Sequence, residues 1–190
     1  MDEPLLGGQL VAGGNTCGQT MEESAKITAV FFEQVHTRYP GMKIGDIEPY
    51  PHFSAAELKD WVLELEKNGV SPAFFHLDVD VEQVKVYNHN VIGDLRSLAA
   101  FFEEKGIPFG VIFTSNWKAA GSDKTYVDST MLWIRTVKNA IDKPQHIIFQ
   151  SWQGPAASGA HEVPVNLPSN DPGGSSHTRL ILEGLGILSP

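Results

Sequence analysis

Cysteine is scarce: Cys17 is the single one among 190 residues. One thiol excludes an internal disulfide framework and any zinc cluster built on cysteine, so a structural metal would have to rest on histidine and carboxylates. Cys17 itself reads as a quiet loop thiol. Basic charge is scarce too. There are 14 Lys and Arg against 23 Asp and Glu, a formal net charge of −9, and this argues against nucleic acid, whose backbone needs clustered cations. Long apolar runs are absent: residues 108–114 and 147–149 fall far short of the roughly 20 that cross a bilayer, so no membrane partner is expected. The basic segment and apolar stretch of a signal peptide are missing as well, which bears on compartment only if Met1 is the natural start, and the compartment stays unassigned. No glycine-rich segment carries the P-loop Lys-Ser/Thr or the dinucleotide spacing, and no cofactor is expected.

What is present is a repeat. With hydrophobic residues at 42% the bulk of the chain should fold as one domain. Four apolar runs, at 42–48, 73–80, 109–114 and 146–152, read as buried parallel strands. Helical segments lie between them. Thr20 with Glu23 and Ser54 with Glu57 form capping boxes. The first opens a helix carrying Ile27, Val30, Phe31 and Val35; the second opens one that runs to about Asn68 and stops at Gly69. Gly106 follows a helix carrying Leu95, Leu98 and Phe102, and Asp123 is placed to cap one through Tyr126, Leu132 and Val137. Strand ends recur roughly every 30 to 40 residues, the length of a βα unit. Extended backward, the period puts another strand end near residue 1, at Asp2-Glu3-Pro4. The expected class is therefore α/β, with about four βα units in residues 1–190 and a long Gly/Pro/Ser-rich loop over 154–176. A complete barrel needs about 250 residues. Three architectures fit: part of a full (β/α)8 barrel, a half-barrel that pairs with a second copy, or a small open flavodoxin-like sheet. The first is preferred.

In parallel α/β folds the ligand site lies beyond the C-terminal strand ends. Side chains alternate along a strand, so Asp46 and Glu48 share one face of theirs, and His76, Asp78 and Asp80 share one face of theirs. Buried carboxylates are costly unless paired or hydrated, and so many at neighbouring strand ends point to a polar cleft, with helix capping or loop anchoring as the structural alternative for each. Tyr50, Asn116, Trp117 and Gln150 also stand at strand ends and are candidate walls of that cleft.

Asp2-Glu3-Pro4 resembles the Asn-Glu-Pro motif that closes the fourth strand in cellulase-like glycoside hydrolases. The resemblance implies that the runs above are strands five to eight of a (β/α)8 barrel, the C-terminal half, and that Glu3 is the general acid/base. It also implies that Trp152, at the eighth strand, is a platform beneath the sugar, an indole face suiting the apolar face of a pyranose. One departure stands out: the family's nucleophilic Glu ends the seventh strand, where this chain reads Phe113-Thr114-Ser115-Asn116-Trp117.

Glycoside hydrolysis requires two carboxyl groups flanking the bond. The expected function is thus hydrolysis of a saccharide with Glu3 as proton donor, Glu48 or Asp80 as its partner, and Asp2, Asp46, His76 and Asp78 holding hydroxyls or tuning acidity. Two other functions remain open at this point. One is a non-catalytic saccharide-binding or inactive barrel fragment, favoured by the missing seventh-strand carboxylate. The other is a metal-dependent barrel hydrolase using His76 and the neighbouring acids, which lacks a second histidine at a strand end. The expected partners are a saccharide and either a second copy or an N-terminal half-barrel.

Overall fold

The computed structural model describes residues 1–9, 17–86, 89–115, 122–153, 162–163 and 174–189. Its centre is a four-stranded parallel sheet of β1 (Asp46–Tyr50), β2 (Phe75–Val79), β3 (Phe109–Phe113) and β4 (His146–Phe149), in the spatial order β1-β2-β3-β4. The helices among the described residues are α1 (Pro4–Gln9), α2 (Met21–Arg38), α3 (Ala55–Lys67), α4 (Val81–Val86), α5 (Val91–Lys105), α6 (Asp123–Ile141) and α7 (His177–Leu188). Strand order follows chain order without reversal, whereas a doubly wound flavodoxin-like sheet reverses at a switch point.

Local chemistry sets the helix boundaries. Both capping boxes form, Thr20 with Glu23 and Ser54 with Glu57, and Gly106 closes α5 in the left-handed conformation at φ 67°, which costs glycine nothing. At α6 the cap is Ser122 rather than Asp123: the Ser122 hydroxyl accepts the Thr125 amide, and Asp123 occupies the first turn, where its charge suits the helix dipole. α2 turns opposite to expectation. It buries Ala25, Thr28 and Phe32, while Ile27, Val30 and Phe31 remain about half exposed.

The register fixes two faces. Asp46 pairs with Phe75, Glu48 with Leu77, Phe75 with Phe109, Leu77 with Val111, and Val111 with Ile147. This parity meets the helices: Phe102 of α5 stacks on Phe75 and Phe109 at 4.6 and 5.2 Å, and Gly184 of α7 lies against Phe149, where a Cβ would come within 2.8 Å of the ring. α2, α3, α5, α6 and α7 touch in succession and form one layer. The other parity, Ile47, Pro49, His76, Asp78, Gly110, Ile112, His146 and Ile148, forms the second face of the sheet.

Beyond β1 the sheet continues in a stub. The Met1 amino group donates to Gly45 O at 2.7 Å and the Glu3 amide to Ile47 O at 2.8 Å, two steps in the same direction on both chains, as in a parallel ladder. At the other end the run 146–152 is not one strand. β4 stops at Phe149, and β5 (Trp152–Gln153) pairs antiparallel with β6 (Glu162–Val163) inside the segment expected to be a long loop.

Candidate functional site

The stub brings Asp2 and Glu3 to the C-terminal end of the sheet, on the edge of β1. One strand further, Pro49 of β1 pairs with Asp78 of β2, so the backbones bearing Glu3 and Asp78 are about two strand spacings apart, roughly 9.5 Å. The charge of Asp78 reaches Glu3. Glu3 is pushed up to about 6, first by burial and then by the charges of Asp78 and Asp2. Asp78 is also pushed up to about 6, by burial and then by Asp2 and Asp80. Partly buried carboxyls with like charges nearby resist ionisation, and each of the two acids is raised on that account.

Asp46 and Glu48 stand on the other face of the sheet, although the charge of Glu3 adds to the rise at Glu48. They share a face with each other, as expected, but it is the helix-facing parity. Asp46 is fully buried and accepts the Trp61 indole N–H at 2.7 Å. Glu48, also fully buried, accepts the Leu5 amide on Oε1 at 2.6 Å and the Leu6 amide on Oε2 at 3.3 Å. Burial raises both carboxyls above the ordinary range; for Glu48 the neighbouring Asp46 adds to the rise while the two amides oppose it. The expectation that Glu48 stands opposite Glu3 across a substrate is corrected accordingly. Its side chain is turned into the layer between sheet and helices.

Asp80 caps a helix. Its Oδ1 accepts the Glu82 and Gln83 amides at 3.0 and 3.1 Å, which starts α4. Tyr50 is a core residue, 1% exposed, and its hydroxyl donates to Asp94 Oδ2 at 2.6 Å; burial and that bond push the phenol well above its ordinary range. It shares the parity of Asp46 and Glu48 and cannot wall a cleft on the opposite face. Gln150 follows β4, its amide donating to Phe113 O and its carbonyl accepting the Tyr126 hydroxyl at 2.6 Å. Asn116 and Trp117 lie outside the described residues, and Trp152 contributes its backbone to β5.

The sequence reading missed three residues. His146 lies one strand beyond Gly110, and its Nδ1 is 2.9 Å from His76 Nε2. Gly110 between them leaves the room: a Cβ there would come within 2.6 Å of His76 and 2.7 Å of His146. His76 also stacks on Phe74 at 4.6 Å, and burial with His146 beside it lowers its imidazole to about 4, so it is neutral at pH 7. The pair stands toward the strand starts, so it does not supply the second histidine at a strand end that the metal reading lacked, and among the described residues no group of three or more metal-ligating side chains forms. Tyr126 and Thr114, joined hydroxyl to hydroxyl at 2.7 Å, tie the ends of β3 and β4 together beside Asp78, whose charge reaches Tyr126. The signal for His146 was its place at the start of an apolar run, but only register shows that it faces His76.

No family model, curated protein or solved structure matches this chain. The site therefore has to be read from its own chemistry.

Proposed function

We propose that the protein hydrolyses a glycosidic bond, with Glu3 as the proton donor and Asp78 as the second carboxyl, at the C-terminal mouth of a (β/α)8-type arc of which these strands are the fifth to the eighth. The observation that carries the reading is placement: the Glu3 amide is bonded to Ile47 O at the edge of β1 and Asp78 stands opposite Pro49 on β2, which sets both acids toward the same end of the sheet, each raised to about 6 chiefly by burial. In the singly protonated pair, Glu3 gives its proton to the glycosidic oxygen as the C–O bond breaks. The Asp78 carboxylate faces the anomeric carbon, directly or through a water whose proton it takes.

The position of Asp2-Glu3-Pro4 supports the resemblance to the cellulase-like hydrolases, since the stub that ends there lies beside β1 in parallel sense. The sequential strand order and single helix layer support an arc of a barrel. So do the apolar residues left exposed on the two end helices, Ile27, Val30 and Phe31 on α2 and Leu182 and Leu185 on α7, where further units, from a second copy or an N-terminal half-barrel, would pack. Thr114 and Ser115 after β3 leave the family's usual nucleophile position without an acid, which is why the partner is assigned to β2.

The test is release of reducing ends from a panel of gluco-, xylo- and chito-oligosaccharides. Glu3→Gln is expected to lower turnover by about 10²- to 10⁴-fold, the usual worth of a general acid, and by less on aryl glycosides whose leaving group needs no proton. Unchanged turnover in Glu3→Gln overturns the assignment. Binding without cleavage in the wild type would leave a saccharide-binding protein.

A further inference from the structure

Glu3 occupies the position before the first residue of α1, since the Gly7 amide donates to its carbonyl at 2.8 Å. Ser, Thr, Asp or Asn at that position accepts the amides of the second or third helical residue with its own short side chain, and Glu is not among the residues that do so. In this chain those amides belong to Leu5 and Leu6, and both are taken by Glu48, reaching across from β1. Glu3 meanwhile has φ 50°, a left-handed conformation that a residue with a side chain keeps only when its surroundings hold it. Two contacts hold it: its own amide on Ile47 O, and the Glu48 carboxyl on the turn immediately after it.

We infer that Glu48 is a positioning residue: the cap position of α1 holds a Glu, which does not cap its own helix, and by accepting the Leu5 and Leu6 amides from the neighbouring strand Glu48 fixes the turn that carries Glu3. The inference rests on the reading of Glu3 as the proton donor, yet it concerns geometry that can be measured without a substrate. Glu48 is buried on the helix-facing side of the sheet, where its hydrogen bonds go to the Leu5 and Leu6 amides and the charge of Glu3 reaches it; it acts through Leu5 and Leu6.

Three forms of the chain test this by NMR: wild type, Glu48→Leu and Glu48→Gln. The leucine fills a buried volume of similar size without an acceptor, so the fold should survive while the clamp is lost. In Glu48→Leu the Leu5 and Leu6 amides should exchange at least tenfold faster, and the Glu3 carboxyl, now free to hydrate, should titrate below 6, toward its ordinary 4.5. Glu48→Gln keeps an oxygen for the Leu5 amide and should restore both the Leu5 protection and the Glu3 midpoint. A folded Glu48→Leu protein with wild-type exchange and wild-type Glu3 titration overturns the inference. If the leucine variant does not fold, a folded Glu48→Gln protein that has lost both signals overturns it instead. Failure of the hydrolytic reading would look different, with the clamp intact in these spectra and turnover indifferent to Glu3→Gln.

Discussion

Glu3 and Asp78 keep their protons to about pH 6 because burial removes water from each while the other acids of the cluster stay close. Asp46 and Glu48 are raised by burial on the opposite face. All four bind a proton more tightly in the folded chain than in the unfolded one. Their contribution to stability is therefore full below the ordinary carboxylate range and is lost as pH rises through the folded values, about 6 for Glu3 and Asp78. His76 runs the other way: its folded value is lowered to about 4, so its contribution is present above the ordinary imidazole range and lost as pH falls. With four groups against one, the melting temperature is expected to drop between pH 5 and pH 8 in calorimetry, and Asp78→Asn should flatten the part of that drop near pH 6. A profile that rises over this range, or one that Asp78→Asn leaves unaltered, contradicts the account. At this scale the sequence showed which residue types gather at strand ends. It did not show which way β1 turns, because Asp-Ile-Glu-Pro-Tyr alternates acid with apolar and either parity could meet the helices. The burial of Asp46 against Trp61 and of Glu48 against the α1 amides decides it.

Elements were legible where a cap or a strict apolar run marked them. The two capping boxes and Gly106 sit where the residue pattern put them, since each depends on neighbours in the chain alone. α2 was misjudged for the opposite reason: Ile27, Val30 and Phe31 form a helical stripe, but the side that packs on α1 and α3 is the smaller one built from Ala25, Thr28 and Phe32. Tertiary placement outranks hydrophobic pattern there. α1 was not foreseen, its first turn depending on a carboxylate 43 residues away. Within the sheet, Gly110 is where β2, β3 and β4 depend on one another most closely. Gly110→Ala is expected to destabilise the fold by about 1–3 kcal/mol through overpacking against His76 and His146. It should also part the two imidazoles, so that His76 titrates above 4. Urea denaturation and histidine NMR read both effects, and a variant with wild-type stability and an unmoved His76 would show that the two rings are not packed over this glycine.

At the scale of the whole molecule, the described residues form a four-stranded parallel sheet with a helix layer against one face and, on the other, His76 and His146 toward the strand starts and Asp78 toward a strand end. The period of the βα units made a parallel sheet readable from the sequence, while the order of the strands separates the barrel-like readings from the flavodoxin-like one only once the sequential order β1-β2-β3-β4 is seen. The pairing of faces could not be read in this way, since it depends on register between segments about 30 residues apart. The proposed function requires an acid from the stub and an acid from β2 to act together at one end of the sheet, and that is the claim to test most directly. Carbon-13 NMR titration of the side-chain carboxyls of Glu3 and Asp78, in the wild type and in each single carboxamide variant, measures it. The account predicts that both titrate near pH 6 and that Asp78→Asn moves the Glu3 midpoint down toward 4.5. Two independent titrations at ordinary carboxylate values, each indifferent to removal of the other acid, would contradict it.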